Sequence, residues 1–113
     1  MQILESHISR EELQAVARNF FGDMVKCVAD VKNGKLAIDA EFHADLERLL
    51  LENGSDGKDL WGFNVYPDDT GEDFIEFDSL INIRAWQGNP SRNVLDSGVR
   101  DAIRRIVNDH IRE

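Results

Sequence analysis

Apolar residues in this chain recur with two rhythms, one of period 3.6 and one of period two, and the switches between them mark the predicted elements. Leu13, Val16, Ala17 and Phe20 stand at helical spacing. Ser9 and Glu12 ahead of them are placed as a capping box, and Ile8 and Leu13 as its hydrophobic staple. Gly22 is a natural stop. Ile3 and Leu4 before this helix predict a short strand.

The rhythm then changes to two. Val25, Cys27, Ala29 and Val31 alternate with Met24, Lys26, Val28 and Asp30. Lys32-Asn-Gly-Lys35 carries the residue pair that a type I′ turn requires. The return strand predicts Leu36, Ile38, Ala40 and Phe42 on one face, with Ala37, Asp39, Glu41 and His43 on the other.

A second helix is expected over 44–52, with Leu46, Leu49 and Leu50 as its stripe and Asn53-Gly54 as its end. A third strand, 60–66, aligns Trp61, Phe63 and Val65. Residues 74–84 read as one long fourth strand. Its core face would be Ile75, Phe77, Ile81 and Ile83, and its polar face Glu76, Asp78, Asn82 and Arg84. A polar loop follows. The last helix, about 98–111, is capped by Asp96 or Ser97 and presents Val99, Ala102, Ile103, Ile106, Val107 and His110. The order α-β-β-α-β-β-α predicts a single α+β domain over 1–113. Its sheet would be antiparallel or mixed, with the helices packed on one face.

Composition narrows the function classes. A chain of 113 residues with 42% apolar content is ordinary for a globular domain. Its one cysteine, Cys27, excludes an internal disulfide and reads as a buried thiol. The N-terminal residues lack the basic and apolar regions of a signal peptide, and no run approaches a membrane span. A cytoplasmic protein without membrane association is expected. The net charge is −9, unevenly spread. Six arginines against four acids leave residues 84–113 at +2, so residues 1–83 carry −11. Nucleic acid is therefore an unlikely partner, since phosphate contacts dominate that affinity. Only Arg92, Arg100 and Arg104 argue otherwise.

Candidate chemistry lies in four places. Glu41, His43 and Asp45 could converge as an acid/base or metal cluster, or simply begin a helix, where acids favour the dipole. If the two hairpins share a sheet, Asp39, Glu41 and His43 lie near Glu76, Asp78, Asn82 and Arg84, with Asn64 and Tyr66 beside them. Crowded carboxylates raise one another's pKa, although a solvated sheet face carries the same residue types. The loop 87–92, with Asn89, Ser91 and Arg92, could hold an anion or serve as a connector. Trp86 beside Arg84 could mark a binding surface or seal the core edge. There is no His-x-x-x-His or Cys-x-x-Cys pattern, so no metal site is assigned and the cofactor is left open.

Four segments carry a family resemblance: Glu41-Phe-His-Ala-Asp45, Leu50-Leu-Glu-Asn-Gly-Ser55, Asp59-Leu-Trp-Gly-Phe-Asn-Val-Tyr-Pro67 and Glu76-Phe-Asp-Ser-Leu-Ile-Asn-Ile-Arg84. Over nearly its whole length the chain resembles a family of small bacterial proteins classed as a domain of unknown function. The resemblance implies a bacterial α+β domain and carries no activity, cofactor or catalytic residue. In that family a proline often follows the arginine matched by Arg84. Here Ala85-Trp86 stands instead, which puts any shared loop geometry in question.

Two functions are expected. The first is a non-enzymatic module binding a small ligand or protein partner through Asn64, Tyr66, Asn82, Arg84, Trp86, Asn89, Ser91 and Arg92. The alternative is a small metal-assisted or acid/base hydrolase using Glu41, His43, Glu76 and Asp78.

Overall fold

The computed structural model describes residues 1–112. In chain order its elements are β1 (Gln2–Ile3), β2 (Ile8–Ser9), α1 (Arg10–Ala17), β3 (Val25–Asp30), β4 (Lys35–Ile38), α2 (His43–Glu52), β5 (Leu60–Val65), β6 (Ile75–Glu76), α3 (Ser97–His110) and β7 (Ile111–Arg112). Five strands form one antiparallel sheet in the order β1-β4-β3-β5-β6. The two predicted hairpins therefore share a sheet. β2 and β7 form a separate parallel pair that ties the start of α1 to the end of α3. The fold is α+β.

The helices divide between the two faces of the sheet, contrary to the expectation of one. Leu13 and Ala17 of α1 and Ile103, Ile106 and Val107 of α3 pack on Cys27, Ala29, Leu36, Ile38, Trp61, Phe63 and Val65. Leu46 and Leu50 of α2 pack on Val28, Ala37 and Leu60. The reason lies in the sequence. One alternating set of the central strands is apolar throughout, and the other, which also carries Lys26, Asp30 and Asn64, still presents Val28, Ala37 and Leu60, so both faces need cover.

Capping follows the expected chemistry at two helices. Ser9 Oγ accepts from the Glu12 amide at 3.0 Å, and Glu12 Oε1 accepts from the Ser9 amide at 3.2 Å. Asp96 accepts from the amides of Gly98 and Val99. At α2 the N-cap is Phe42, with no side-chain cap. Phe20 lies beyond the end of α1 and is exposed rather than part of its stripe.

The first hairpin turns differently from expectation. A type I′ turn needs positive φ at both central residues, and only Gly34 has it. Four residues bridge the paired Asp30 and Lys35 instead. Asp30 explains why. Its buried carboxylate accepts from the amides of Lys32 and Asn33, from Asn33 Nδ2, and from Ser55 Oγ at 2.6 Å. The return strand stops at Ile38 because Asp39 takes a left-handed φ of 73°, which reverses the alternation beyond it. Phe42 is accordingly exposed.

The largest correction concerns residues 74–84. Only Ile75 and Glu76 are strand, and the chain then coils through 3₁₀ turns at Leu80–Asn82 and Ala85–Gln87. Ile83 is exposed, whereas Asn82 and Arg84 are buried, inverting the expected faces. Asn82 takes over the pairing that a longer strand would have supplied. Its Oδ1 accepts from the Gly62 amide at 2.9 Å, and its Nδ2 donates to the Gly62 carbonyl at 2.8 Å. The chain approaches β5 so closely here that a Cβ on Gly62 would lie 2.6 Å from Ser79 Oγ.

Candidate functional site

The register of the sheet places Lys26, Asn64 and Glu76 side by side across β3, β5 and β6. They form the floor of a cleft of about 320 Å³. One wall is the start of α2, with Phe42, His43 and Ala44. The other is Asp78–Ile81, with Arg92 reaching in from the following loop. The cleft thus gathers His43, Glu76 and Asp78 from the acid/base candidates, and Asn64 and Arg92 from the binding candidates.

Asn64 is 5% exposed. Its Nδ2 donates to Glu76 Oε1 at 2.9 Å and, at 3.4 Å, to the Asp78 carbonyl. These bonds orient the amide and leave Oδ1 buried, with the His43 ring as its neighbouring polar group. The Tyr66 hydroxyl donates to the same Glu76 oxygen at 3.0 Å. Its pKa is pushed up to about 12, first by burial and then by the Glu76 hydrogen bond and charge.

His43 is buried, and Nε2 lies 2.8 Å from the Phe63 carbonyl. A carbonyl only accepts, so Nε2 carries the proton and Nδ1 of the neutral ring is a lone pair. Burial lowers the pKa of the ring, and the Lys26 charge adds to that, outweighing the opposing influence of Phe63, Asn64 and Asp78. The ring is therefore neutral near pH 7. Opposite it, Arg92 Nε donates to Asp78 Oδ1 at 2.6 Å, with both side chains about half exposed. Such a pair fixes orientation more than it stabilises the fold. With His43 neutral, Lys26 and Arg92 balance Glu76 and Asp78.

The remaining candidates lie elsewhere. Glu41 is exposed and outside the cleft lining. Asp39 accepts from Asn19 Nδ2 at 3.0 Å. Asn89 Nδ2 donates to the carbonyls of Asn82, Ser91 and Asn93, and its Oδ1 accepts from the Leu95 amide. Arg84 donates to the carbonyls of Gly57 and Leu60 at 2.7 and 2.6 Å, with its guanidinium 4.0 Å from the centroid of Trp61. Asn82, Arg84 and Asn89 are thus engaged in holding the 79–95 segment against the sheet. Ser91 Oγ accepts from the Asn93 amide at 3.1 Å. The amides of Gln87, Gly88 and Asn89 bond within the loop, so they do not form an anion cradle. The loop closes by reciprocal bonds between the Arg84 and Asn89 backbones without a proline after Arg84. Trp86 is 76% exposed. Arg92 belongs to the cleft, whereas Arg100 and Arg104 line a different groove, so the three form no common surface.

Among the described residues, no three His, Cys, Asp or Glu side chains are placed to hold a metal ion. Several members of the cleft escaped sequence reasoning, Lys26 and Phe42 among them. Lys26 becomes relevant only once the register with Asn64 is known. Phe42 joins the rim because Asp39 breaks the strand.

The family model described as "Protein of unknown function (DUF5674)" matches residues 2–110. The chain belongs to this family. No curated protein and no solved structure matches it. The family brings no assigned chemistry, so the cleft must be read on its own geometry. No helix is long and apolar enough to cross a membrane among the described residues.

Proposed function

We propose that this chain is a non-enzymatic binding module, bacterial and cytoplasmic, whose cleft takes a small ligand of amino-acid-like zwitterionic chemistry. The observation that carries this reading is the convergence of two acids, Glu76 and Asp78, and two bases, Lys26 and Arg92, around Asn64 in one cleft. A ligand ammonium is received by Glu76 and Asp78. Lys26 and Arg92 receive the carboxylate. Phe42, Leu80 and Ile81 cover a short aliphatic side chain. The balanced charge of the lining supports a ligand that is itself net neutral, because an unmatched charge in a partly desolvated site is costly. The volume lies at the small end of organic ligand sites.

Calorimetric titration with leucine tests this reading. Glu76→Gln should weaken binding roughly tenfold by removing the carboxylate that receives the ammonium. Equal binding of leucine to both proteins would overturn it.

One observation favours a second reading, acid/base hydrolysis. His43 is neutral, and its Nε2–H is anchored on Phe63, leaving Nδ1 as a potential base in a cleft that also holds Glu76 and Asp78. Hydrolysis of small amide or ester substrates that is abolished by His43→Gln would favour it over simple binding. The exposed Trp86 supports a protein partner at the neighbouring loop, and its fluorescence would report that contact.

A further inference from the structure

The short segment containing β6 separates two cavities. Glu76 and Asp78 face the cleft, whereas Ile75 and Phe77 face a larger groove of about 950 Å³. The groove has an apolar base made by Phe74, Phe77, Val107 and Ile111. Of these, Phe74, Val107 and Ile111 are buried core residues, so the base is fixed in place.

The groove is bordered by arginine. Arg100 and Arg104 come from successive turns of α3, Arg112 from β7, and Arg10 from α1. Glu72 is the acid among the described lining residues. This concentration of positive charge occurs in a chain of net charge −9. Arg100 Nε is buried without a hydrogen-bond partner. The Arg104 guanidinium lies 5.3 Å from the Phe77 centroid and donates to Asp101 at 2.8 Å, an exposed pair that solvent screens. The Arg10 guanidinium stacks 4.4 Å from the Phe74 centroid and donates to the Pro67 and Asp69 carbonyls. Its position over the aromatic base is thereby set.

We propose that this groove binds an organic oxyanion with an apolar or aromatic body. The oxyanion is received by the Arg100 guanidinium and is flanked by Arg104 and Arg112. The body lies on Phe74, Phe77, Val107 and Ile111. Guanidinium groups suit this task because they present planar donors to carboxylate and phosphate and stack on aromatic faces. An apolar base alone would accept any hydrophobe. The arginine border selects the anion. The site is independent of the cleft, being built on the opposite side of the same segment.

The test is residue-resolved NMR titration of the full chain with naphthoate, naphthyl phosphate and naphthylmethanol. The first two separate carboxylate from phosphate preference, and the third lacks the charge. Both anions, or one of them, should shift Phe77, Arg100, Arg104, Val107 and Ile111. Naphthylmethanol should bind at least roughly tenfold more weakly, as expected for loss of a charge-assisted hydrogen bond. Arg100→Met keeps the aliphatic stem and should weaken the anion by a similar factor. Arg104→Met provides a second, more exposed variant should Arg100→Met fail to fold. Arg105→Met, outside the groove lining, should leave binding unchanged. Equal binding of anion and alcohol, shifts confined to the cleft, or unchanged affinity in both groove variants would each overturn the proposal.

Discussion

The side-chain amide of Asn82 holds both backbone polar groups of Gly62, accepting from its N–H at 2.9 Å and donating to its C=O at 2.8 Å. One side chain thereby does the work of a neighbouring strand. Nδ2 also donates to the Arg92 carbonyl at 3.0 Å, linking the sheet to the loop that carries a cleft residue. Asn82→Ala would leave buried donors and acceptors unpaired. The expected loss is about 2–4 kcal/mol, measured by urea unfolding. Asn82→Asp retains the acceptor but loses the donor, and should also be destabilised.

Gly62 is predicted to be irreplaceable for a steric reason. An added Cβ would meet Ser79 Oγ at 2.6 Å and Ser79 Cβ at 2.7 Å. Gly62→Ala should therefore destabilise the fold and displace the 78–81 wall of the cleft. Adding Ser79→Gly should recover part of the loss, since Ile81 Cγ1 at 3.0 Å still resists the new methyl. A double-mutant cycle that finds the two changes strictly additive would contradict this account.

His43 should titrate below its ordinary 6.5, because burial disfavours the imidazolium. In the unfolded chain the ring protonates first as pH falls. Stability from keeping it neutral is therefore fully present above the unfolded pKa, about 6.5, and is lost as pH falls below it toward the folded pKa. His43→Gln retains a donor for the Phe63 carbonyl but does not titrate. Its stability should show a shallower pH dependence in that window, measured by urea unfolding at a series of pH values.

Tyr66 is the chain's single tyrosine, so its phenolate absorbance reads one group. The midpoint should lie near 12 in the folded protein. Glu76→Gln should lower it by removing the charge beside the hydroxyl, while burial keeps part of the elevation. Because the folded pKa is raised, this group's contribution to stability is lost as pH rises above the unfolded value of about 10.

Much of the fold was legible in local patterns. The capping box at Ser9, the cap at Asp96 and the alternation of Trp61, Phe63 and Val65 all specify their elements directly. What was not legible depends on tertiary contacts. The strand pattern of 74–84 is genuine in its alternation, yet close packing of Ser79 on Gly62 diverts the chain, and Asn82 replaces the missing ladder. Asp30 similarly overrides the Asn-Gly turn signal by binding the loop amides itself. The cleft was legible in part. His43, Asn64, Glu76, Asp78 and Arg92 were candidates from residue type and alternation. Glu41 leaves that group because the strand ends at Ile38. Lys26 enters it through a cross-strand register that the local pattern does not contain.

The most direct test of the central claim follows the Asn64 side-chain amide by NMR during titration with leucine, isoamylamine and 4-methylpentanoate. The account predicts that leucine moves the Asn64 Nδ2 resonances together with Lys26, His43, Glu76 and Arg92. The amine, which keeps only the donor end, should do so more weakly, and the acid should leave the Asn64 amide unmoved. Equal responses to the amine and the acid, or a leucine response that bypasses Asn64, would contradict the cleft as a site for a donor-bearing zwitterion.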